Sequence, residues 1–248
     1  MKLAPIILFV YNRKLHTKKT VDALKKNLLA NKSELFIYSD GPKKIENFEE
    51  VLKVRKYIKT INGFKKVKII EQKKNLGLAN SIISGVTEII NKYGKAIILE
   101  DDIITSPLFL EFMNSALKYF KNVNKIWHIS GWSYPINLEN HSDVYFSRVM
   151  HCWGWATWSN KWKYFEKNTN KLIKNFSKKD ISKLNFDGYN NTFWKQVLLN
   201  KRNKINTWAI FWYATILKKN GLCLLPSKSF TKNIGFDGSG IHTFDLNY

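Results

Sequence analysis

Lys95-Ala96-Ile97-Ile98-Leu99-Glu100-Asp101-Asp102-Ile103-Ile104-Thr105 decides how this chain is read. The short apolar run after Gly94, with its β-branched members, has the form of a strand buried in an α/β sheet. It ends in three consecutive carboxylates, which repel one another unless something cationic sits among them. In open α/β sheets, ligands bind beyond the carboxyl ends of the strands. Carboxylate oxygens are hard donors suited to Mg²⁺ or Mn²⁺, ions often held by one or two carboxylates plus substrate phosphates. The stretch therefore reads as a metal-assisted diphosphate site, with an ordinary acidic turn as the competing reading. On these residues alone the two stand even.

The upstream sequence favours the site. Residues 6–11 form a continuous apolar run suited to a central strand, ended by Asn12-Arg13. A helix follows from about residue 17 to 27, with Val21, Leu24 and Leu28 on one face. Residues 35–38 read as a second strand, closed by the turn Ser39-Asp40-Gly41-Pro42. A helix carrying Val51, Val54, Tyr57 and Ile58 leads to a third strand at 67–70. Asn75 is placed to cap a helix bearing Ile82, Ile83, Val86, Ile89 and Ile90. Strands alternating with helices imply βαβ units and a parallel sheet. Asn12-Arg13, Ser39-Asp40-Gly41, Asn75 and Glu100-Asp101-Asp102 then converge on one crevice.

Downstream, Phe109, Phe112, Met113, Ala116, Leu117 and Phe120 form a helical core stripe, and 126–131 and 144–148 read as strands. His151-Cys-Trp-Gly-Trp-Ala-Thr-Trp158 is aromatic and small, and residues 161–206 form a basic, Asn-rich helical insertion. A helix near 209–219 and a strand at 222–225 precede a glycine-rich tail, 233–243, that reads as a loop over a ligand. The expectation is one domain over residues 1–248, with a nucleotide-binding half (1–104) and a less regular acceptor-side half (105–248).

A hydrophobic content of 44% with 15% aromatics is ample for a core, and the net charge of +22 favours acidic partners. The abundance of Lys, Asn and Ile throughout the chain fits a general compositional bias equally well. Two cysteines, Cys152 and Cys223, give no disulfide framework and point to a reducing compartment. The apolar run after Lys2 is broken by Pro5 and lacks a small-residue cleavage site, so it reads as a strand rather than a signal peptide. No apolar stretch approaches the ~20 residues that span a bilayer. The expected location is cytoplasmic, with a peripheral seat on the inner membrane left open.

No P-loop, dinucleotide-binding or nucleophile-elbow motif occurs. His151 and Cys152 lack zinc-ligand spacing. Arg13 can fork onto a phosphate, and Asp40 can accept from a nucleoside hydroxyl or base N–H; a solvated Arg and a turn-forming Asp are the plain alternatives. Among the tryptophans, Trp153 and Trp155 flank Gly154 and are the best placed to stack a sugar, the others suiting a core. His242 in the tail could complete a metal's coordination, or be a plain surface histidine.

In order, Pro5-Ile-Ile-Leu-Phe-Val-Tyr-Asn-Arg13, Ser39-Asp40-Gly41, Asn75-x-Gly77-Leu78-Ala79 and Glu100-Asp101-Asp102 resemble the GT-A-fold glycosyltransferases. Within them the chain is most similar to the bacterial group related to N-acetylglucosaminyltransferase I. The resemblance runs on through Ser130-Gly131-Trp132, Gly154-Trp155, Pro226 and His242-Thr243. It implies a GT-A-type α/β nucleotide-binding fold, with a mostly parallel central sheet flanked by helices. It also implies a nucleotide-sugar donor, a UDP-sugar favoured, Mn²⁺ (or Mg²⁺), and a glycan or glycolipid acceptor of the lipopolysaccharide or capsule kind. By position, Asp102 resembles the metal ligand, Glu100 and Asp101 the contacts to donor sugar and ribose, Arg13 the diphosphate contact and Asp40 the nucleoside-binding acid.

Inverting relatives carry an acidic base where this chain has Trp208-Ala-Ile-Phe-Trp212, so Asp187 and Asp237 stand as substitutes on chemistry alone. That gap keeps a catalytically inactive scaffold in view. A basic, aromatic nucleic-acid-binding module is the alternative from another class. Three adjacent acids would repel a nucleic acid's phosphates unless a metal intervened, so nucleic acid is not the expected partner.

Overall fold

The computed structural model describes residues 2–136 and 143–238; His242 lies outside the described residues. The first half alternates strand and helix: β1 (Ile6–Val10), α1 (Lys14–Lys25), β2 (Glu34–Ser39), α2 (Phe48–Ile58), β3 (Lys66–Glu71), α3 (Leu78–Tyr93) and β4 (Lys95–Glu100). β1 lies parallel to both β2 and β4, and β2 parallel to β3. Then come β5 (Ile103–Thr105), α4 (Phe109–Tyr119), β6 (Ile126–Ser130), β7 (Val144–Ser147) and β8 (Trp155–Trp158). The helices α5 (Ser159–Trp162), α6 (Thr169–Asn175), α7 (Lys178–Leu184), α8 (Thr192–Lys201) and α9 (Ala209–Lys218) precede β9 (Leu222–Pro226) and β10 (Thr231–Asn233).

The main sheet has the order β3-β2-β1-β4-β8-β6-β9-β7, and β10 pairs separately with β5. β8 runs antiparallel between β4 and β6, while β6 and β9 are parallel and β7 returns antiparallel to β9. The fold is therefore the expected mixed α/β architecture with a mostly parallel central sheet flanked by helices.

The period-two geometry of a strand divides its side chains between two cores. Ile6, Leu8 and Val10 join Val21 and Leu24 of α1, Ile97 and Leu99 of β4, and Phe109 and Met113 of α4. Ile7 and Phe9 face the other way, with Ile82, Val86 and Ile89 of α3 and the tryptophan-rich C-terminal helices. Both sheet faces are covered, which is why β1 and β4 read as unbroken apolar runs.

Three expectations need correction. Leu28 falls beyond the end of α1 and is 62% exposed, so it does not share the face of Val21 and Leu24. Asn75 does not cap α3; Gly77 holds that position with φ of +74°, a backbone conformation disfavoured for other residues. The segment around Trp155 is a central strand, and Trp155 itself is wholly buried. Its ring stacks on Trp208 at 5.0 Å and on His128 at 5.3 Å, out of reach of a sugar.

His128 illustrates how this core handles polarity. Its Nδ1 accepts from the Trp212 indole N–H (3.2 Å), which leaves Nε2 to carry the proton and donate to the His151 carbonyl (2.9 Å). Burial pushes its pKa down to about 3, and burial likewise takes His151 down to about 4. An unfolded histidine binds a proton below about pH 6.5, whereas these two stay neutral when folded. Their contribution to stability is thus full above that pH and lost as pH falls toward the folded values. We expect His128→Phe to flatten this acid limb in denaturant titrations run between about pH 4 and 8. At neutral pH it should lose about 1–3 kcal/mol, because the Trp212 N–H and His151 carbonyl are left unpartnered. An acid limb as steep as in the wild type would contradict this role.

Candidate active site at the strand ends

Because β1 and β4 are parallel neighbours, the residues that follow them emerge side by side. Arg13, just beyond β1, meets the acids that follow β4. Its Nη2 donates to Asp101 Oδ1 and to Asp102 Oδ2 (2.8 Å), and Nε reaches Asp101 Oδ2 at 3.4 Å. Arg13 is also anchored by its backbone: its carbonyl accepts from Thr17 N and Thr17 Oγ1, both at 2.9 Å, in the first turn of α1. One turn further on, Thr20 Oγ1 donates to the Asp101 carbonyl (2.8 Å). The guanidinium Nη1 is buried with no hydrogen-bond partner among the described residues.

The electrostatics follow from three acids sharing one guanidinium. Burial, helped by the charges of Asp102 and Asp101, pushes Glu100 up to about 8, against the pull of Arg13. Burial also raises Asp101, to about 6, with the Arg13 charge and hydrogen bond opposing it. For Arg13, burial alone would lower the pKa, but the paired Asp101 and Asp102 outweigh it and the net shift is upward.

A second layer closes over the acids. β10 pairs with β5 through Thr231↔Thr105 to Asn233↔Ile103, and Ile234 N donates to the Asp102 carbonyl (2.9 Å). A Cβ placed on the next residue, Gly235, would collide with Asp102 Oδ2. The backbone at residue 235 can therefore lie this close to the Asp102 carboxylate only because it has no side chain. Asp237 then pairs with His16 Nε2 at 2.9 Å, bringing the start of the tail against α1 near Asp101.

Asp40 sits at the neighbouring strand end, 7% exposed, and its partners are internal. Oδ1 accepts from Gly41 N and Leu76 N, both 2.8 Å; Oδ2 accepts from Gly77 N (2.9 Å) and Asn75 Nδ2 (3.0 Å). A carboxylate offers about four acceptor positions, and all are taken by the chain itself. In this arrangement Asp40 fixes the 75–77 loop. Asn75 helps by donating also to the Gly41 carbonyl (2.8 Å). Arg55, which nothing in the sequence singled out, ties the same region by donating to the carbonyls of Asp40 (3.2 Å) and Gln72 (2.7 Å).

The remaining expected site residues separate. Trp153 lies half-buried on the tail side, with ring contacts to Trp132 (5.0 Å) and Phe236 (5.5 Å). Asp187 is exposed in the C-terminal half, paired through both oxygens with Arg148 rather than with any group of the acid cluster. Gly154, with φ of +74°, serves a close backbone approach, but to the chain's own Gly131, whose N–H donates to the Gly154 carbonyl at 2.7 Å. His16 and Gly235 are the site residues that sequence reading missed. The cluster of glycines in the tail was the available signal for Gly235; His16 carried none.

Among the described residues, no three His, Cys, Asp or Glu side chains converge as a ready metal cage. Mg²⁺ and Mn²⁺ sites that use substrate phosphates do not need one. Asp102 can offer such an ion a single hard-oxygen ligand.

No protein-family model and no curated protein sequence matches the chain. Solved structures do resemble it. The S. aureus TarS structure of residues 1–349 superposes with a TM-score of 0.50 at 11% identity, over 93% of this chain and 60% of that one. The mannosyltransferase PcManGT from Pyrobaculum calidifontis, in complex with GDP-Man and Mn²⁺, aligns with a TM-score of 0.46 at 14% identity, over 63% of this chain and 44% of that one. This chain thus spans less than two thirds of each of these structures. Its mixed α/β fold is the one seen in the TarS structure.

Proposed function

We propose that this protein is a metal-dependent glycosyltransferase. It moves a sugar from a nucleotide-sugar donor, a UDP-sugar favoured, onto a hydroxyl of a bacterial surface glycan or its lipid-linked precursor. Residues 1–248 act as one catalytic domain, and the order of motifs favours the bacterial group similar to N-acetylglucosaminyltransferase I. One observation carries the reading: Arg13 is held at the strand ends by Asp101 and Asp102, with its buried Nη1 unpartnered among the described residues.

A buried donor without a partner is costly unless a ligand satisfies it. A diphosphate oxygen is the acceptor that a guanidinium fork fits best. Asp102 would hold the metal as one hard-oxygen ligand, with the donor's phosphates supplying others. The metal, when bound, neutralises charge on the departing nucleoside diphosphate. Arg13 is already fixed before that charge develops, because both its backbone and its fork are anchored; little reorganisation is then needed as the bond breaks. Asp40 acts at one remove, by holding the 75–77 backbone that borders the nucleoside.

Calorimetric titration of UDP, with GDP alongside, tests this. Binding should require Mn²⁺, vanish in Asp102→Ala, and weaken at least about tenfold in Arg13→Gln, the scale of one charge-assisted hydrogen bond. Gly235→Ala, whose Cβ would press on Asp102 Oδ2, should displace that carboxylate and also weaken binding, with a thermal melt run alongside to separate this from unfolding. Failure of both nucleotides under every condition, or unchanged affinity in Asp102→Ala, would sink the proposal.

Asp40→Asn separates the organising role from direct contact. Its amide NH2 would replace one oxygen and face either the Gly41 and Leu76 N–H groups or those of Gly77 and Asn75, so stability should fall by about 1–3 kcal/mol. Weaker UDP binding with wild-type stability would instead restore Asp40 as a nucleoside contact.

A further inference from the structure

The C-terminal half contains a recess that the donor site does not use. Tyr134, Ser147, Arg148, Lys183, Phe186 and Tyr213 line it, around a volume of about 220 Å³. Pockets for drug-sized ligands run to roughly 300–1,000 Å³, so this one suits a single substituent rather than a nucleotide sugar. At its wall, Tyr213 is 2% exposed and its hydroxyl is buried with no hydrogen-bond partner among the described residues. Native structures leave few such groups unpaired, and each needs an explanation. Burial pushes the Tyr213 phenol pKa upward, so the hydroxyl keeps its proton and is available to donate.

The charges beside it are cationic on balance. Asp187 occupies Nη1 and Nη2 of Arg148, but a guanidinium carries five N–H groups. Lys183 adds a second positive charge against the single acid. Phe186 and Asp187 both adopt left-handed backbone, with φ of 54° and 57°. Strain of this kind, in residues other than glycine, persists only where the surroundings over-determine it.

The recess is also connected to the donor site. Tyr134 contacts Trp132 at 5.0 Å, Trp132 contacts Trp153 at 5.0 Å, and Trp153 contacts Phe236 at 5.5 Å. Phe236 directly follows Gly235, the residue against Asp102. A continuous aromatic wall thus runs from the acid cluster to the recess, and aromatic faces suit the apolar faces of sugars.

We infer that this recess binds a phosphate ester, through Arg148, Lys183 and the Tyr213 hydroxyl, and that the sugar acceptor carries that ester. Only the identity of the carrier rests on the glycosyltransferase reading; the phosphate site stands without it.

Glycerol 3-phosphate titrated calorimetrically, in the absence of nucleotide, is the direct probe. Wild-type protein should bind it, with affinity falling about tenfold in Arg148→Gln and about fivefold in Tyr213→Phe, as expected for lost charge-assisted and neutral hydrogen bonds. Arg13→Gln should bind as the wild type does, which separates this site from the donor site. Tyr213→Phe removes an unsatisfied buried hydroxyl, so it should melt at or above the wild-type temperature, and its loss of affinity is then not unfolding. A second arm uses phosphatidylglycerol vesicles against phosphatidylcholine vesicles. Sedimentation with the former alone, abolished by Arg148→Gln, would identify the phosphate as a lipid headgroup; binding of the soluble ester alone would place it on a soluble glycan or polyol. Absence of binding in both arms, equal affinity in all variants, or loss confined to Arg13→Gln would overturn the inference. None of these outcomes depends on whether UDP binds.

Discussion

Three carboxylates in succession at the end of a buried strand repel one another, and the surrounding structure is arranged to offset that repulsion. Arg13 supplies the compensating charge to Asp101 and Asp102. It can do so because β1 and β4 are adjacent and parallel, so their ends open at the same edge. Its carbonyl is fixed by Thr17, and the Asp101 carbonyl by Thr20, so α1 is tied to both strand ends. The tail is tied on through Ile234 and Asp102. Arg13 does not cancel the cost of burying these acids: burial first, and the neighbouring carboxylates after it, leave Glu100 and Asp101 shifted upward. Further positive charge is what this edge of the sheet lacks.

Asp40 and Asp102 both follow strands of the sheet but differ in hydrogen-bond supply. Asp40 receives four donors from its own chain. Among the described residues the Asp102 side chain receives one, from Arg13, and the backbone of Gly235 packs against it. Neither difference is visible in residue type, since both are aspartates after an apolar run. The donors on Asp40 come from residues 41 and 75–77, and those distant partners become neighbours only once β2 and β3 pair.

The same distinction explains what could be read in the sequence. β1 to β4 and their helices were legible because central parallel strands must be apolar throughout, and helices covering a sheet must be amphipathic. The convergence of Arg13, Asp40, Asn75 and the acids follows from that topology alone. β8 was not legible. Trp155-Ala-Thr-Trp158 carries neither a β-branched run nor a polar alternation, and its place between β4 and β6 is set by long-range pairing. Trp155 was misread for that reason: next to a glycine it suggested a ligand platform, whereas the glycine serves the crossing at Gly131 and the indole fills the core. The three-residue pair β5 and β10 was too short to signal itself, yet it is what brings Gly235 to Asp102.

Arg13 and Tyr213 each hold a buried donor without a partner among the described residues, at opposite ends of one aromatic wall. They are not equivalent. The Arg13 donor belongs to a group whose other N–H bonds already lock it between two acids, so its position is fixed by an ion-paired cluster. The Tyr213 donor stands beside Arg148, whose guanidinium Asp187 occupies only in part, so the donors that one ion pair leaves over are what this end offers.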